Sequence, residues 1–111
     1  MGAFNIVSAS ANCPRCHQRV EVAVQFKYGD VWQHEYRIMD ELKWGSTTDI
    51  GKPGLEHVVL DGEGESCPVC RYDGDWGFYV YIERDRIVEV QPADGRYDFV
   101  TSGSSYIVLK K

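Results

Sequence analysis

The sequence lacks two features: a long apolar run and an excess of positive charge. No stretch of the 111 residues approaches the roughly 20 apolar residues that a membrane-spanning helix needs. The formal net charge is −5, from 17 acidic against 12 basic residues. An acidic chain gains little from a phosphate backbone or an anionic lipid surface. These absences argue against a membrane protein and against nucleic-acid binding.

The start of the chain lacks the features of a secretory signal. Residues 1–9 contain no basic residue ahead of their short apolar part. A length of 111 residues is typical of one domain. We therefore expect a single cytoplasmic domain over residues 1–111.

Strong helix formers are scarce, whereas β-branched residues are common. Leucine and alanine together supply 9 residues, against 13 valines and 6 isoleucines. The chain also has 7 Tyr, 4 Phe and 3 Trp. Valine, isoleucine and aromatic residues fit a pleated, half-buried surface. This composition predicts an all-β protein.

Alternation of apolar and polar residues indicates the strands. Residues 19–28 alternate over ten positions, and residues 32–38 alternate after a turn at Gly29-Asp30, which predicts a hairpin. Shorter strands are predicted over residues 57–60, 78–82, 86–90 and 106–109, and loops over 45–54 and 61–66. Because no convincing amphipathic helix connects these runs, we expect a small antiparallel sheet domain.

All four cysteines lie in two matching turns, Cys13-Pro14-Arg15-Cys16 and Cys67-Pro68-Val69-Cys70. A C-x-x-C turn directs both sulfurs at one point, and two such turns can enclose one tetrahedral Zn²⁺. Disulfides would need a secreted protein, and a redox C-x-x-C needs an α/β setting. We therefore predict that Cys13, Cys16, Cys67 and Cys70 bind one metal ion.

The two turns resemble the knuckles of the zinc-ribbon and rubredoxin-like proteins. In that group glycine commonly follows the second cysteine, whereas this chain has His17 and Arg71 there. The 50 residues between Cys16 and Cys67 exceed the interval of a simple ribbon and must hold a long β-insertion, residues 20–60. The resemblance covers about a quarter of the chain and implies metal binding.

Zinc and iron both fit four thiolates. Rubredoxin-like electron carriers have little structure beyond their metal site, whereas this chain spends most of its length on a sheet. We therefore expect one structural Zn²⁺, with an iron electron carrier as the alternative. His17, Arg15 and Arg71 adjoin the ligands and are candidates for hydrogen bonds around the sulfurs.

Acidic residues flank the second knuckle and form the candidate surface for a partner. They are Asp61, Glu63, Glu65, Asp73 and Asp75. Their spacing does not match an EF-hand loop, and the chain has no nucleotide-binding or serine-hydrolase motif. We therefore expect a non-catalytic protein that contacts a basic protein partner.

By analogy alone, small acidic immunity proteins that inhibit nuclease toxins are of this kind. A nucleic-acid-binding zinc ribbon is the other alternative, although charge argues against it. Four thiolates and one Zn²⁺ contribute −4 and +2, which takes the net charge from −5 to −7.

Overall fold

The computed structural model describes residues 4–31, 33–45, 49–71, 76–99, 103 and 106–110. The described residues are organised in nine β-strands, which confirms the predicted all-β class. The strands are β1 (Asn5–Asn12), β2 (Arg19–Phe26), β3 (Gly29–Asp30), β4 (Glu35–Arg37), β5 (Asp49–Ile50), β6 (His57–Gly64), β7 (Gly77–Glu83), β8 (Arg86–Pro92) and β9 (Tyr106–Lys110).

The main sheet has the order β4-β1-β2-β6-β7-β8, with β9 added to β6, while β3 and β5 form a separate pair. The chain leaving β4 links the two ends of this order. Met39 N donates to Ile87 O, and Ile87 N donates to Asp40 O at 3.0 Å. The sheet therefore curls, and its concave face encloses a core contributed by β1, β2, β6, β7 and β8.

The predicted hairpin between residues 19–28 and 32–38 is wrong. Strand β2 pairs instead with β1 along its whole length, from Asn5↔Phe26 to Asn12↔Arg19. Sequence reasoning missed β1, because its buried positions hold residues as small as Ala9 and Ala11, which give a weak apolar alternation. Pairing of β2 with β1 therefore overrides the turn signal at Gly29-Asp30.

Strand β4 pairs with β1 in parallel, from Ile6↔Glu35 to Ser8↔Arg37, whereas the sequence predicted antiparallel pairing throughout. A buried asparagine positions the connection that makes this possible. Asn5 Nδ2 donates to the backbone oxygens of Tyr28 and Asp30, both at 3.1 Å. Its Oδ1 accepts from His34 N at 3.0 Å. One side chain therefore fixes the loop that returns β4 beside β1.

Strand β6 extends further than predicted. The sequence placed a loop over residues 61–66, but β6 runs to Gly64, since Asp61, Gly62 and Glu63 pair with β7. A Cβ at Gly62 would lie 2.8 Å from Val24 Cγ1. Glycine is therefore required here by close packing rather than by a turn, which is why the glycine-rich composition misled the prediction.

The strands predicted over residues 78–82 and 86–90 are confirmed, and they pair with each other as β7 and β8. One face of β7 carries Phe78, Val80 and Ile82 into the main core. The other face carries Tyr79 and Tyr81 into a second apolar cluster, where residues 97 and 99 and part of β9 pack. Both faces of β7 are thus buried.

We expect Asn5→Ala to lower the free energy of unfolding by about 2–4 kcal/mol, because it leaves buried backbone groups without hydrogen bonds. Asn12→Ala, at the exposed other end of β1, should change it by less than about 0.5 kcal/mol. Urea unfolding of the two variants provides the measurement. Equal effects of both substitutions would contradict the role assigned to Asn5.

Candidate metal centre

The first cysteine turn is the tip of the β1–β2 hairpin. Asn12 and Arg19 are the last paired residues, so residues 13–18 form the connection. Cys13 N donates to Gln18 O at 3.0 Å, and His17 N donates to Cys13 O at 2.9 Å. Both hydrogen bonds fold the backbone so that Cys13 and Cys16 lie on the same side of the turn.

The second turn lies between β6 and β7 and repeats this geometry. Arg71 N donates to Cys67 O at 2.9 Å, as His17 N does to Cys13 O. After Gly64 the chain continues beside β2, where Glu65 N donates to Ala23 O at 2.8 Å. Because β2 begins at the first turn, this path carries Cys67 towards it.

The four cysteine sulfurs meet in one cluster. Every pair of Sγ atoms lies within 4.8 Å. Cys13 Sγ is 3.5 Å from Cys70 Sγ, and Cys16 Sγ is 3.9 Å from Cys67 Sγ, so the short distances join the two turns. Cys13 and Cys67 are each 1% exposed, while Cys16 and Cys70 are half-buried. The predicted ligand residues are therefore brought to metal-binding distance.

The distances between the sulfurs fit a tetrahedrally coordinated metal ion with four thiolate ligands. Metal–sulfur bonds of about 2.3 Å in a tetrahedron place the sulfurs about 3.8 Å apart. The two measured distances, 3.5 and 3.9 Å, bracket that value. All four cysteines are free thiols in this arrangement rather than disulfides. The four cysteines are therefore positioned to bind one metal ion.

The residues that replace glycine adopt the conformation that glycine prefers. His17 has φ 60° and Arg71 has φ 61°. This left-handed region costs a non-glycine residue roughly 1–2 kcal/mol. Both turns therefore carry backbone strain at the same position, the residue after their second cysteine.

Backbone amides surround the first cysteine of each turn. Arg15 N and Cys16 N lie 3.4 and 3.5 Å from Cys13 Sγ, and Val69 N lies 3.4 Å from Cys67 Sγ. No sequence signal marks them, because any residue supplies an amide.

These amides favour the thiolate that binds metal. Desolvation, the largest single effect, raises the pKa of Cys13, but hydrogen bonds from the amides of Cys16 and Arg15, together with those to the neighbouring thiols, lower it to about 6. At Cys67 desolvation also raises the pKa, but the amides of Cys70 and Val69 help to bring it below its usual value. At Cys16 the amide of Gln18 lowers the pKa, yet desolvation and the neighbouring thiols raise it to about 11.

The predicted neighbours of the cysteines act through their backbones. The side chains of Arg15, His17 and Arg71 are exposed. Among the described residues, none of these side chains donates a hydrogen bond to a sulfur. Their contribution to the cluster is the turn itself.

The acidic residues separate into different environments. Asp61 and Glu63 are exposed and lie two positions apart on β6, whereas Glu65 is half-buried and accepts from Gln25 Nε2 at 3.3 Å. Desolvation, with the charge of Glu63, raises the pKa of Asp61. Asp73 and Asp75 lie outside the described residues.

The chain matches no protein-family model, and no curated protein or solved structure is significantly similar to it. Within the described part of the chain, there is no helix of the length and apolar character needed to cross a lipid bilayer.

We expect His17→Gly to leave metal binding intact and to raise the free energy of unfolding by up to about 1 kcal/mol, because it relieves the left-handed strain. Gln18→Gly is the matched control, since Gln18 has no positive φ and should lose stability instead. Urea unfolding of the metal-loaded proteins separates the two. A loss of stability in both variants would contradict strain at His17.

Proposed function

We propose that the four cysteines hold one structural Zn²⁺ and that the protein is a non-catalytic module acting through protein–protein contact. The observation that carries the metal proposal is the cluster of sulfurs drawn equally from two hairpin tips. Four thiolates with tetrahedral spacing are the preferred set for structural zinc.

The position of the cluster supports a structural rather than a chemical role. Cys13 and Cys67 are almost completely buried and pack in the main core, and Cys16 and Cys70 pack against it. Four protein sulfurs fill a tetrahedral shell and leave no position for water or substrate. When bound, Zn²⁺ would link two distant segments of the chain covalently. The four cysteine sulfurs would form its closed coordination shell.

The length of the chain favours zinc over an iron electron carrier. About half of the described residues belong to the curled sheet, which carries two apolar clusters. An electron-transfer site alone does not need a scaffold of this size. Cytoplasmic location belongs to the same proposal, because a reducing compartment keeps four thiols available for a metal.

The acidic pair on β6 supports a basic partner. Asp61 and Glu63 are exposed and make no ion pair with a described residue. The two carboxylates repel each other, which contributes to the raised pKa of Asp61. A cationic side chain from a partner would relieve that repulsion. An inhibitor of a basic enzyme, of the immunity-protein type, would use such a surface.

Purification without chelator should yield about one equivalent of zinc, measured by mass spectrometry of the metal, and a protein without visible absorption. A red protein that contains iron would overturn the structural-zinc proposal in favour of the electron carrier.

We expect Cys67→Ser to lose most of this metal and to lower Tm by about 10–25 °C, since several kcal/mol of cross-linking energy disappear. Part of the β-sheet signal in circular dichroism should remain, because the core of β1, β2 and β7 does not require the metal. Ser66→Ala, at the exposed neighbouring residue, is the matched control and should keep both metal and Tm. An unchanged melting curve for Cys67→Ser would show that the site is dispensable for the fold.

The double variant Asp61→Asn/Glu63→Gln should weaken salt-dependent retention on immobilised basic proteins, for which lysozyme and cytochrome c serve as probes. The double variant Glu21→Gln/Glu83→Gln removes the same charge from exposed positions elsewhere and should retain more binding. Equal loss in both variants would show that net charge alone explains the retention, and it would contradict a specific binding surface on β6. A nucleic-acid shift by the wild-type protein would favour the alternative function.

A further inference from the structure

The two short sulfur–sulfur distances both cross from one cysteine turn to the other. Cys13 Sγ lies 3.5 Å from Cys70 Sγ, and Cys16 Sγ lies 3.9 Å from Cys67 Sγ. Because a disulfide bond joins its sulfurs at about 2 Å, each cross-turn pair is within about 2 Å of bonding distance. The four metal ligands are therefore also arranged as two pairs of disulfide partners.

Each of these pairs combines an accessible cysteine with a buried one. Cys16 and Cys70 are half-buried, whereas Cys13 and Cys67 are each 1% exposed. A metal ion holds all of its cysteine ligands as thiolates, so access to solvent decides which sulfur a dissolved oxidant reaches first. The oxidant therefore attacks the accessible member of each pair, and the buried member on the other turn lies ready to react with the oxidised sulfur.

Backbone hydrogen bonds of the sheet also hold the two turns side by side. Strand β2 begins at the first turn and pairs with the end of β6, where Val24 lies opposite Gly64. The contact continues towards the second turn, since Glu65 N donates to Ala23 O at 2.8 Å. Cysteines of different turns therefore stay within reach of each other when a metal leaves.

We propose that the metal centre is a peroxide-sensitive switch in which two cross-turn disulfides, Cys13–Cys70 and Cys16–Cys67, replace the bound zinc. The switch rests on the structural zinc proposed above. Both disulfides link the same two turns as the metal does, so oxidation releases the zinc and leaves the fold cross-linked. A dithiol reductant restores the four thiols, and zinc binds again.

The oxidant is hydrogen peroxide, and each pair consumes one molecule of it. The Cys16 thiolate attacks a peroxide oxygen, the O–O bond breaks, and a sulfenic acid and hydroxide form. The Cys67 thiolate then attacks that sulfur, so that the S–S bond forms and the S–O bond breaks with loss of a second hydroxide. Cys70 and Cys13 react in the same way.

The electrons and protons balance over the two pairs. Four thiolates give up four electrons to two peroxide molecules, and the four hydroxides take up four protons to become water. A disulfide sulfur carries no negative charge, so it no longer holds Zn²⁺, which leaves with its charge unchanged.

Tryptic mapping of the oxidised wild-type protein distinguishes the possible disulfides. Trypsin cleaves between the first two cysteines, after Arg15, but not between the last two. The cysteines therefore fall in three peptides, residues 1–15, 16–19 and 44–71. Cross-turn disulfides join all three peptides, and fragmentation before Pro68 shows which cysteine of the third peptide pairs with which partner. Within-turn disulfides join only the first two peptides and leave the third by itself.

The starting sample is the wild-type protein with one equivalent of zinc, whose release by hydrogen peroxide is followed with a zinc-binding dye. We expect about one Zn²⁺ released for every four thiols lost, with all three peptides joined. At limiting peroxide, dimedone should trap sulfenic acid at Cys16 and Cys70 rather than at Cys13 and Cys67. The β-sheet signal in circular dichroism should remain, and dithiothreitol with zinc should restore the starting sample.

Cys67→Ser provides a matched test, because it removes one cross-turn pair and keeps Cys13 beside Cys70. Peroxide should join these two cysteines and raise the Tm of the variant by about 5 °C or more, since the bond restores a link between the turns. The double variant Cys67→Ser/Cys70→Ser keeps only the cysteines of the first turn and should gain no Tm from the same treatment.

Within-turn disulfides in the wild type, sulfinic acids in place of disulfides, or unfolding of the oxidised protein would each overturn the switch. An equal gain of Tm in both variants would also contradict it. Zinc content measured before peroxide is added tests the proposed function separately. A sample without zinc would refute the structural zinc and the switch together, whereas zinc followed by within-turn disulfides would refute the switch alone.

Discussion

The pairing of β2 with the chain around the end of β6 is the contact on which the metal centre depends. Val24 pairs with Gly64, and Glu65 N continues the contact to Ala23 O. Without this contact the two cysteine turns would be tips of separate hairpins. Because β2 starts at one turn and the chain after β6 leads into the other, the sheet itself brings four sulfurs within 4.8 Å.

The metal centre and the sheet stabilise each other. Bringing together cysteines separated by 50 intervening residues costs conformational entropy, which the sheet contacts offset and which a bound metal would offset further. The strained His17 and Arg71 show that the turn geometry is imposed by its surroundings, since both residues adopt φ near 60° without being glycine. In each turn, the amides that reach sulfur come from a backbone held in this shape.

Exposed carboxylates lie close together on β6, where Asp61 and Glu63 are two positions apart. Elsewhere the charges alternate in sign: Glu21 lies two positions from Arg19 on β2, and Asp40 Oδ2 accepts from Arg37 N at 2.8 Å. Because exposed charges act within about a Debye length, the local charge of a surface matters more than the net charge of −5.

The sequence by itself determined the all-β class, the strands β7 and β8 and the identity of the four cysteines, because these depend on local alternation and on matched C-x-x-C spacing. The tertiary structure alone decided the partner of β2, the parallel pairing of β4 and the extension of β6 through Gly62 and Gly64. Those features depend on contacts between residues far apart in the chain, such as the amide of Asn5 with Asp30 and His34. Local propensity carries no information about such contacts, and small buried residues such as Ala9 and Ala11 leave little trace in a hydrophobic pattern.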